Sequence, residues 1–276
     1  MLNTFTPLTS KLEVVIQQLI ICYNISMKIT VLVENNTRID NYLLAEPALS
    51  LLIEHKEKKI LFDTAYSDIF MQNAKSLGID LNKITDIVLS HGHDDHTGGL
   101  RFFRANNSNI KLTAHPNIFD KKIDIDGTSY GCPVLKEELN TQFQLNLTKS
   151  PYYITDDLLF LGEIENNISN DIDDSALVYI MQKSLFIITG CSHSGIINII
   201  NYAKKVTKIN KIYGILGGFH LLDKTAFENE AISRFFKQEG IKYLAPCHCC
   251  DLKSKIILSQ NNDIKEICAG DSIILE

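Results

Sequence analysis

The sequence predicts a fold of the α/β class, in its α+β form, with β-sheets that carry helices on their outer faces. Three observations lead there. Short β-branched apolar runs recur along all 276 residues, and segments of helical periodicity separate several of them. Consecutive runs crowd the first half, whereas strands and helices alternate in the second. With 45% hydrophobic and 22% charged residues the chain can bury a large core, which excludes a disordered or fibrous class.

Taken in order, residues 1–26 read as an N-terminal extension, either an appended helix or a segment upstream of a natural start at Met27. Its apolar run Val14 to Ile25 is interrupted by Gln17, Gln18 and Asn24 and is shorter than the roughly 20 residues that span a bilayer. Neither a membrane span nor a cleaved leader is expected, and the localisation expected is cytoplasmic. Strands are expected at Ile29–Val33, Leu49–Ile53, Ile60–Phe62, Ile87–Leu89 and Ile110–Leu112, then at Ala176–Met181, Leu185–Ile188, Ile212–Leu216, Ile241–Leu244 and Ile273–Leu275. Helices are expected over Ser67–Leu77, Thr97–Arg104, Ser194–Val206, Thr225–Glu239 and Leu252–Gln260. The break at His55 to Lys58 suggests a hairpin turn and places His55 in solvent. The polar stretch 117–174, with Gly127, Gly131, Pro133 and Pro151, reads as an insertion over the active site within a single domain, 27–276.

The chemistry concentrates in His91-Gly92-His93-Asp94-Asp95-His96, which follows the strand Ile87–Leu89 and precedes Gly98-Gly99. Imidazoles and a carboxylate crowded onto one short loop suit zinc or a similar divalent ion. His91 and His93, one residue apart in an extended segment, point the same way and can share an ion. Asp95 and His96 follow the turn and can face a second. Two ions about 3.5–4 Å apart form the clamp used in metal-assisted hydrolysis.

Further candidates also stand at strand ends, where ligands gather in α/β folds. Cys191 and His193 follow Ile187-Ile188-Thr189-Gly190, His220 follows Gly217-Gly218-Phe219, and His248 follows Tyr243-Leu244-Ala245-Pro246-Cys247. His220 is also placed to line a substrate pocket without touching metal. Asp63, after Ile60-Leu61-Phe62, is placed to orient a ligand imidazole through its free N–H. Asp173 and Asp174 could bind or bridge metal, and His115 could stand behind the ligands.

The net charge of −6 and a pI of 5.8 give no basic surface for nucleic acid. A small-molecule substrate is expected instead, with no membrane partner; the sequence is silent on oligomeric state. The seven cysteines are an odd number, and Cys247, Cys249 and Cys250 flank His248, a spacing suited to metal or redox chemistry rather than to a secreted disulfide framework.

Together Leu89-Ser90-His91-Gly92-His93-Asp94-Asp95-His96-Thr97-Gly98-Gly99-Leu100, Phe62-Asp63-Thr64, Thr189-Gly190-Cys191-Ser192-His193-Ser194-Gly195 and Gly217-Gly218-Phe219-His220-Leu221 resemble the metallo-β-lactamase superfamily, over roughly Met27 to Glu276. More narrowly they are similar to the branch named for 7,8-dihydropterin-6-yl-methyl-4-(β-D-ribofuranosyl)aminobenzene 5'-phosphate synthase. The resemblance implies a four-layer αββα sandwich with a dinuclear centre between its sheets. It implies His91, His93 and His193 at one metal and Asp95, His96 and His248 at the other. The superfamily's usual bridging aspartate falls at Cys191, so the bridge is a thiolate, Asp174 or water alone. Cys250 and Asp251 stand where the branch has threonine and glycine, and Ala65 stands where glycine is common.

The function expected is a metal-dependent hydrolase that uses a water bridged between two divalent ions, zinc first, with manganese or iron as alternatives. Asp95 would orient that water and His220 would steady or protonate the leaving group. The substrate would be small and phosphorylated or heterocyclic. Two other readings compete: a non-catalytic metal-containing sensor or binding protein, and an iron-dependent oxidoreductase on the same fold.

Overall fold

Along β2 (Ser50–His55) and β3 (Lys58–Phe62), Leu51, Ile53, Ile60 and Phe62 face one way and Leu52 and Leu61 the other, yet all are buried. Strands that are apolar on both faces need cover on both. The computed structural model, which describes residues 27–104, 109–165, 172–222 and 224–276, shows what supplies it. The expected extension at 1–26 lies outside the described residues.

The first sheet has seven strands, ordered β13 (Ser272–Leu275), β1 (Met27–Val33), β2, β3, β4 (Asp86–Val88), β5 (Lys111–Ala114) and β6 (Gln144–Leu147). Pairing is antiparallel from β13 to β3 and parallel from β3 to β6. The second has six, ordered β12 (Tyr243–Pro246), β11 (Ile212–Gly217), β10 (Ser184–Thr189), β9 (Ala176–Met181), β8 (Leu158–Phe160) and β7 (Tyr152–Tyr153). Here β10, β11 and β12 run parallel and the rest antiparallel.

The inner faces pack on each other through Ile29, Val31, Ile60 and Phe62 from one sheet and Phe160, Phe186, Ile188 and Leu216 from the other. Helix α1 (Ile69–Ser76) covers the outside of the first sheet with Phe70 and Ala74. Short helices α2 (Asp94–Thr97) and α3 (Lys136–Gln142) follow. Helices α4 (Ile196–Thr207), α5 (Ala226–Glu239) and α6 (Leu252–Ser259) cover the second sheet with Ile199, Ile200, Ala203, Phe236 and Leu258. A Thr225–Glu228 capping box starts α5, and Gly240 at φ 64° ends it. The layers are helix, sheet, sheet, helix.

Three expectations need correction. The helix expected over Thr97–Arg104 begins one turn earlier, at Asp94, and tightens to a 3₁₀ turn over Gly98–Arg101. Gly99 sits so close to Thr64 that a Cβ there would lie 2.0 Å from its carbonyl oxygen. The stretch 117–174 is more regular than it reads: it supplies α3 and β6 to one half, then crosses to form β7 and β8 in the other. Short edge strands such as Gln144-Leu145-Asn146-Leu147 carry too little apolar signal to be read. His55 is not solvated. Alternation after Leu51 and Ile53 carries it to the inter-sheet face, where it is buried, with Nε2 2.7 Å from Asp157 Oδ1 and its ring edge-on to Tyr179.

Candidate metal centre

The loops that leave β4, β10, β11 and β12 open at one edge of the sandwich and deliver His91–His96, Cys191–His193, His220 and His248 to the seam between the sheets. The turns are strained. Of eight described non-glycine residues with positive φ, five lie here: Asp63 (55°), Ala65 (59°), Ser192 (61°), His220 (51°) and His248 (53°). Left-handed backbone costs an alanine what it does not cost a glycine, so Ala65 carries strain that a glycine in its place would not. Gly190 ends β10 where a Cβ would meet Ser90 Oγ at 2.1 Å, so only glycine lets the two sheets' loops approach here.

His96 Nε2 lies 3.1 Å from His248 Nε2 and 3.3 Å from Cys191 Sγ. His248 Nε2 is 3.1 Å from the same sulfur and 3.2 Å from Asp95 Oδ2. Two further sets, His91 with Cys191 and His193, and His91 with His93 and Asp95, also bring one ligand atom each within 4.8 Å of one another. Cys191, His91 and Asp95 each belong to two sets, so the donors form one continuous cluster. Asp174, weighed as a bridge, belongs to none of the sets among the described residues. Its Oδ2 accepts from Ser194 N and Oγ at 2.8 and 2.6 Å, which holds the His193 loop in place.

Hydrogen bonds assign the imidazole tautomers. Ser90 Oγ donates to Asp63 Oδ2 at 2.7 Å, so at 2.9 Å it can only accept from His91 Nδ1–H. That leaves a lone pair on His91 Nε2, which is buried without a hydrogen-bond partner. His96 Nδ1 donates to Asp63 Oδ2 at 2.7 Å, which likewise turns its Nε2 lone pair toward Cys191 and His248. An orphaned imidazole nitrogen among converging electron-pair donors fits a divalent cation.

The electrostatics separate the two rings, leaving His91 neutral while the carboxylates favour a proton on metal-free His96. Burial, with the neighbouring histidines, drives the pKa of His91 well below the usual histidine range and keeps it neutral. Burial opposes the charge of His96 too, but Asp95 and Asp63 raise its pKa. Burial works to raise the pKa of Asp95, but His96 and His248 outweigh it and hold the carboxyl below the usual carboxylate range. Burial pushes the Cys191 thiol up to about 11, so a cation would have to draw off its proton to bind sulfur. Burial likewise lifts Asp174 to about 6.

Sequence reasoning missed several supports. Glu34 Oε1 accepts from His248 N at 2.8 Å, and Asn35 Nδ2 donates to His248 O at 3.1 Å. Both follow the end of β1, the same strand-end signal that marks the other site residues. Asp173 accepts from Gly92 N at 2.8 Å and pairs with Lys122 Nζ at 3.0 Å, while Tyr130 stands edge-on to His93. Asp173 and Asp174 thus brace one ligand loop each. His115 lies apart: it is buried with Nε2 3.0 Å from Glu163 Oε2. The cysteines after β12 also brace backbone. Cys250 Sγ accepts from Phe219 N and Cys249 Sγ from His220 N, each at 3.2 Å, and Cys247 is buried between the sheets.

Residues 44–175 match the family model described as the metallo-β-lactamase superfamily. The solved structure of Tm1679, a metal-dependent hydrolase of the β-lactamase superfamily, superposes with a TM-score of 0.76 at 28% identity, covering 90% of this chain and 98% of that one. The chain belongs to the metallo-β-lactamase superfamily. Two relatives come from Methanocaldococcus jannaschii. One, a 7,8-dihydropterin-6-methyl-4-(β-D-ribofuranosyl)-aminobenzene-5'-phosphate synthase, is 29% identical over 90% of this chain and 96% of its own length. The other, the uncharacterized protein MJ0448, is 31% identical over 85% of this chain and 95% of its own. Members of the metallo-β-lactamase superfamily usually bind metal ions, and the His, Asp and Cys groups of this chain are ones that could hold a metal ion. Among the described residues no helix is long and apolar enough to cross a membrane.

Proposed function

We propose that the chain is a metal-dependent hydrolase acting on a small substrate that carries a phosphate or a heterocycle. One divalent ion would be held by His91, His93 and His193 and a second by Asp95, His96 and His248, with Cys191 between them and zinc the favoured metal. The observation that carries this reading is the overlap of the ligand sets at Cys191, His91 and Asp95 around the orphaned Nε2 of His91. The name of the M. jannaschii synthase, whose product carries a pterin, an aminobenzene ring and a 5'-phosphate, supports the choice of substrate.

When bound, such ions supply Lewis acidity, polarising a phosphoryl or carbonyl oxygen and acidifying water toward neutral pH. The chain's own residues do the rest. Asp95, kept ionised by His96 and His248, accepts a hydrogen bond from the attacking water and fixes its line of approach. Asp63 and Ser90 lock the rings of His96 and His91, so no reorientation is needed during reaction. As water oxygen adds and the ester bond breaks, the leaving oxygen needs a proton. His220, exposed at the mouth with its ring 4.6 Å from that of His193, would donate it and be reprotonated by the proton that the attacking water releases.

A second reading, favoured by the synthase relative, is a condensation at the same centre. Assay of metal-replete protein against phosphodiesters, lactones and thioesters separates the two. Hydrolysis that disappears with chelator and in His93→Ala supports the proposal. Hydrolysis of none of the three, or activity that survives in His93→Ala, overturns it.

A further inference from the structure

Beside His193 a cavity of about 150 Å³ opens between the first turn of α4 and the loop that follows β11. Its walls are Ile196, Ile197, Phe219 and Ile232, with Phe219 fully buried against Phe236 from behind. Its polar members spend their groups elsewhere: Ser192 Oγ donates to Gly218 O and Asn198 Nδ2 to Glu165 O, each at 2.6 Å. The polar side chains that remain in its lining are His193, which belongs to the ligand cluster, His220 and Lys224. The Lys224 ammonium is 4.0 Å from Glu228, whose other oxygen is committed to capping α5, so that pairing is weak.

An apolar cavity of about this volume holds one benzene-sized ring. A phosphate would lose its hydration there without compensation, whereas a ring loses nothing and leaves its charged substituent at the rim.

We propose that this cavity is the subsite for a single aromatic or heteroaromatic ring of the substrate, with the reacting group toward His193 and an anionic charge attracted by Lys224. The proposal rests on the reading of the neighbouring cluster as the reaction centre.

Calorimetric titration of the metal-replete protein with phenylphosphonate and methylphosphonate tests it without turnover. The ring compound is expected to bind roughly tenfold more tightly, the scale of burying one face and edge of a ring. That preference should vanish in Ile232→Trp, which fills the cavity from α5, and in Ile197→Trp, which fills it from α4. Lys224→Ala should weaken both phosphonates by a similar factor. Circular dichroism and metal content check that each variant is folded and loaded. Equal affinities in the parent protein, or a ring preference retained in both folded tryptophan variants, would overturn the subsite. Ring preference without hydrolysis of any ester leaves the subsite standing and removes the hydrolase reading. Hydrolysis without ring preference does the reverse.

Discussion

His96 donates from Nδ1 to Asp63 Oδ2 at 2.7 Å with both side chains fully out of solvent, and Asp63 also accepts from Ser90 N and Ser90 Oγ. One carboxylate thereby fixes two of the candidate ligand rings, His96 directly and His91 through Ser90. Its backbone, at φ 55°, is held in a conformation that only the surrounding hydrogen bonds make tolerable.

Asp63→Asn is therefore expected to weaken metal binding more than it weakens the fold. The amide keeps the shape but offers a donor where two donors already converge. A loss of roughly 10- to 100-fold in affinity is expected, measured by competition with a chromophoric chelator. Unchanged affinity would mean that His96 is oriented by something else.

Cys191 offers a cleaner spectroscopic reading. Because burial pushes its thiol up to about 11, it is protonated at pH 8 in the metal-free chain. Metal binding through sulfur must release that proton. Titration in buffers of different ionisation heat should show about one more proton released by the parent than by Cys191→Ser. Cobalt-loaded parent protein should show a thiolate-to-metal absorption that the serine variant lacks.

The pair His55 and Asp157 lies well away from the cluster and gives a pH signature of stability. Partial burial works to raise the pKa of Asp157, but hydrogen bonds from His55, Thr155 and Lys56 outweigh it and bring it down to about 2 from 3.8. A carboxylate with a depressed folded pKa stabilises the fold above its unfolded pKa and loses that contribution as pH falls toward the folded value. The gap in urea midpoint between the parent and Asp157→Asn should thus be constant from pH 5 to 7 and close as pH falls from about 4 toward 2. A gap that widens on acidification would contradict the assignment.

Phe160, fully buried between the sheets, tests the core. Phe160→Ala is expected to cost roughly 3–5 kcal/mol in denaturant unfolding. Arg38→Ala, which removes an exposed pair with Glu266 and a half-buried one with Asp271, should cost less, since solvent screens such pairs.

The sequence made His91 to His96 legible because the spacing of those residues is itself the signal. His193, His220 and His248 were legible because each repeats one pattern, a strand, a turn and then a histidine. Glu34 was not read: it shares the strand-end position of the others, but its contact with His248 spans 214 residues and exists only once the two sheets have met. The strands β6 and β7 were lost for a different reason, being short and partly polar at sheet edges, and β8 because its apolar run is only three residues long. His55 was misread because its neighbours Lys56, Glu57 and Lys58 suggested a wet turn, while strand alternation had already turned its ring inward.

The cluster draws its donors from both sheets, His91, His93, Asp95 and His96 from one side and Cys191, His193 and His248 from the other. An ion seated there is a rivet through the two halves of the sandwich, and a chain that binds it only when folded gains resistance to unfolding with the logarithm of free metal. The survival of this protein against proteases would then follow the metal supply of its surroundings, so starvation for the ion would lower the amount of enzyme as well as its activity.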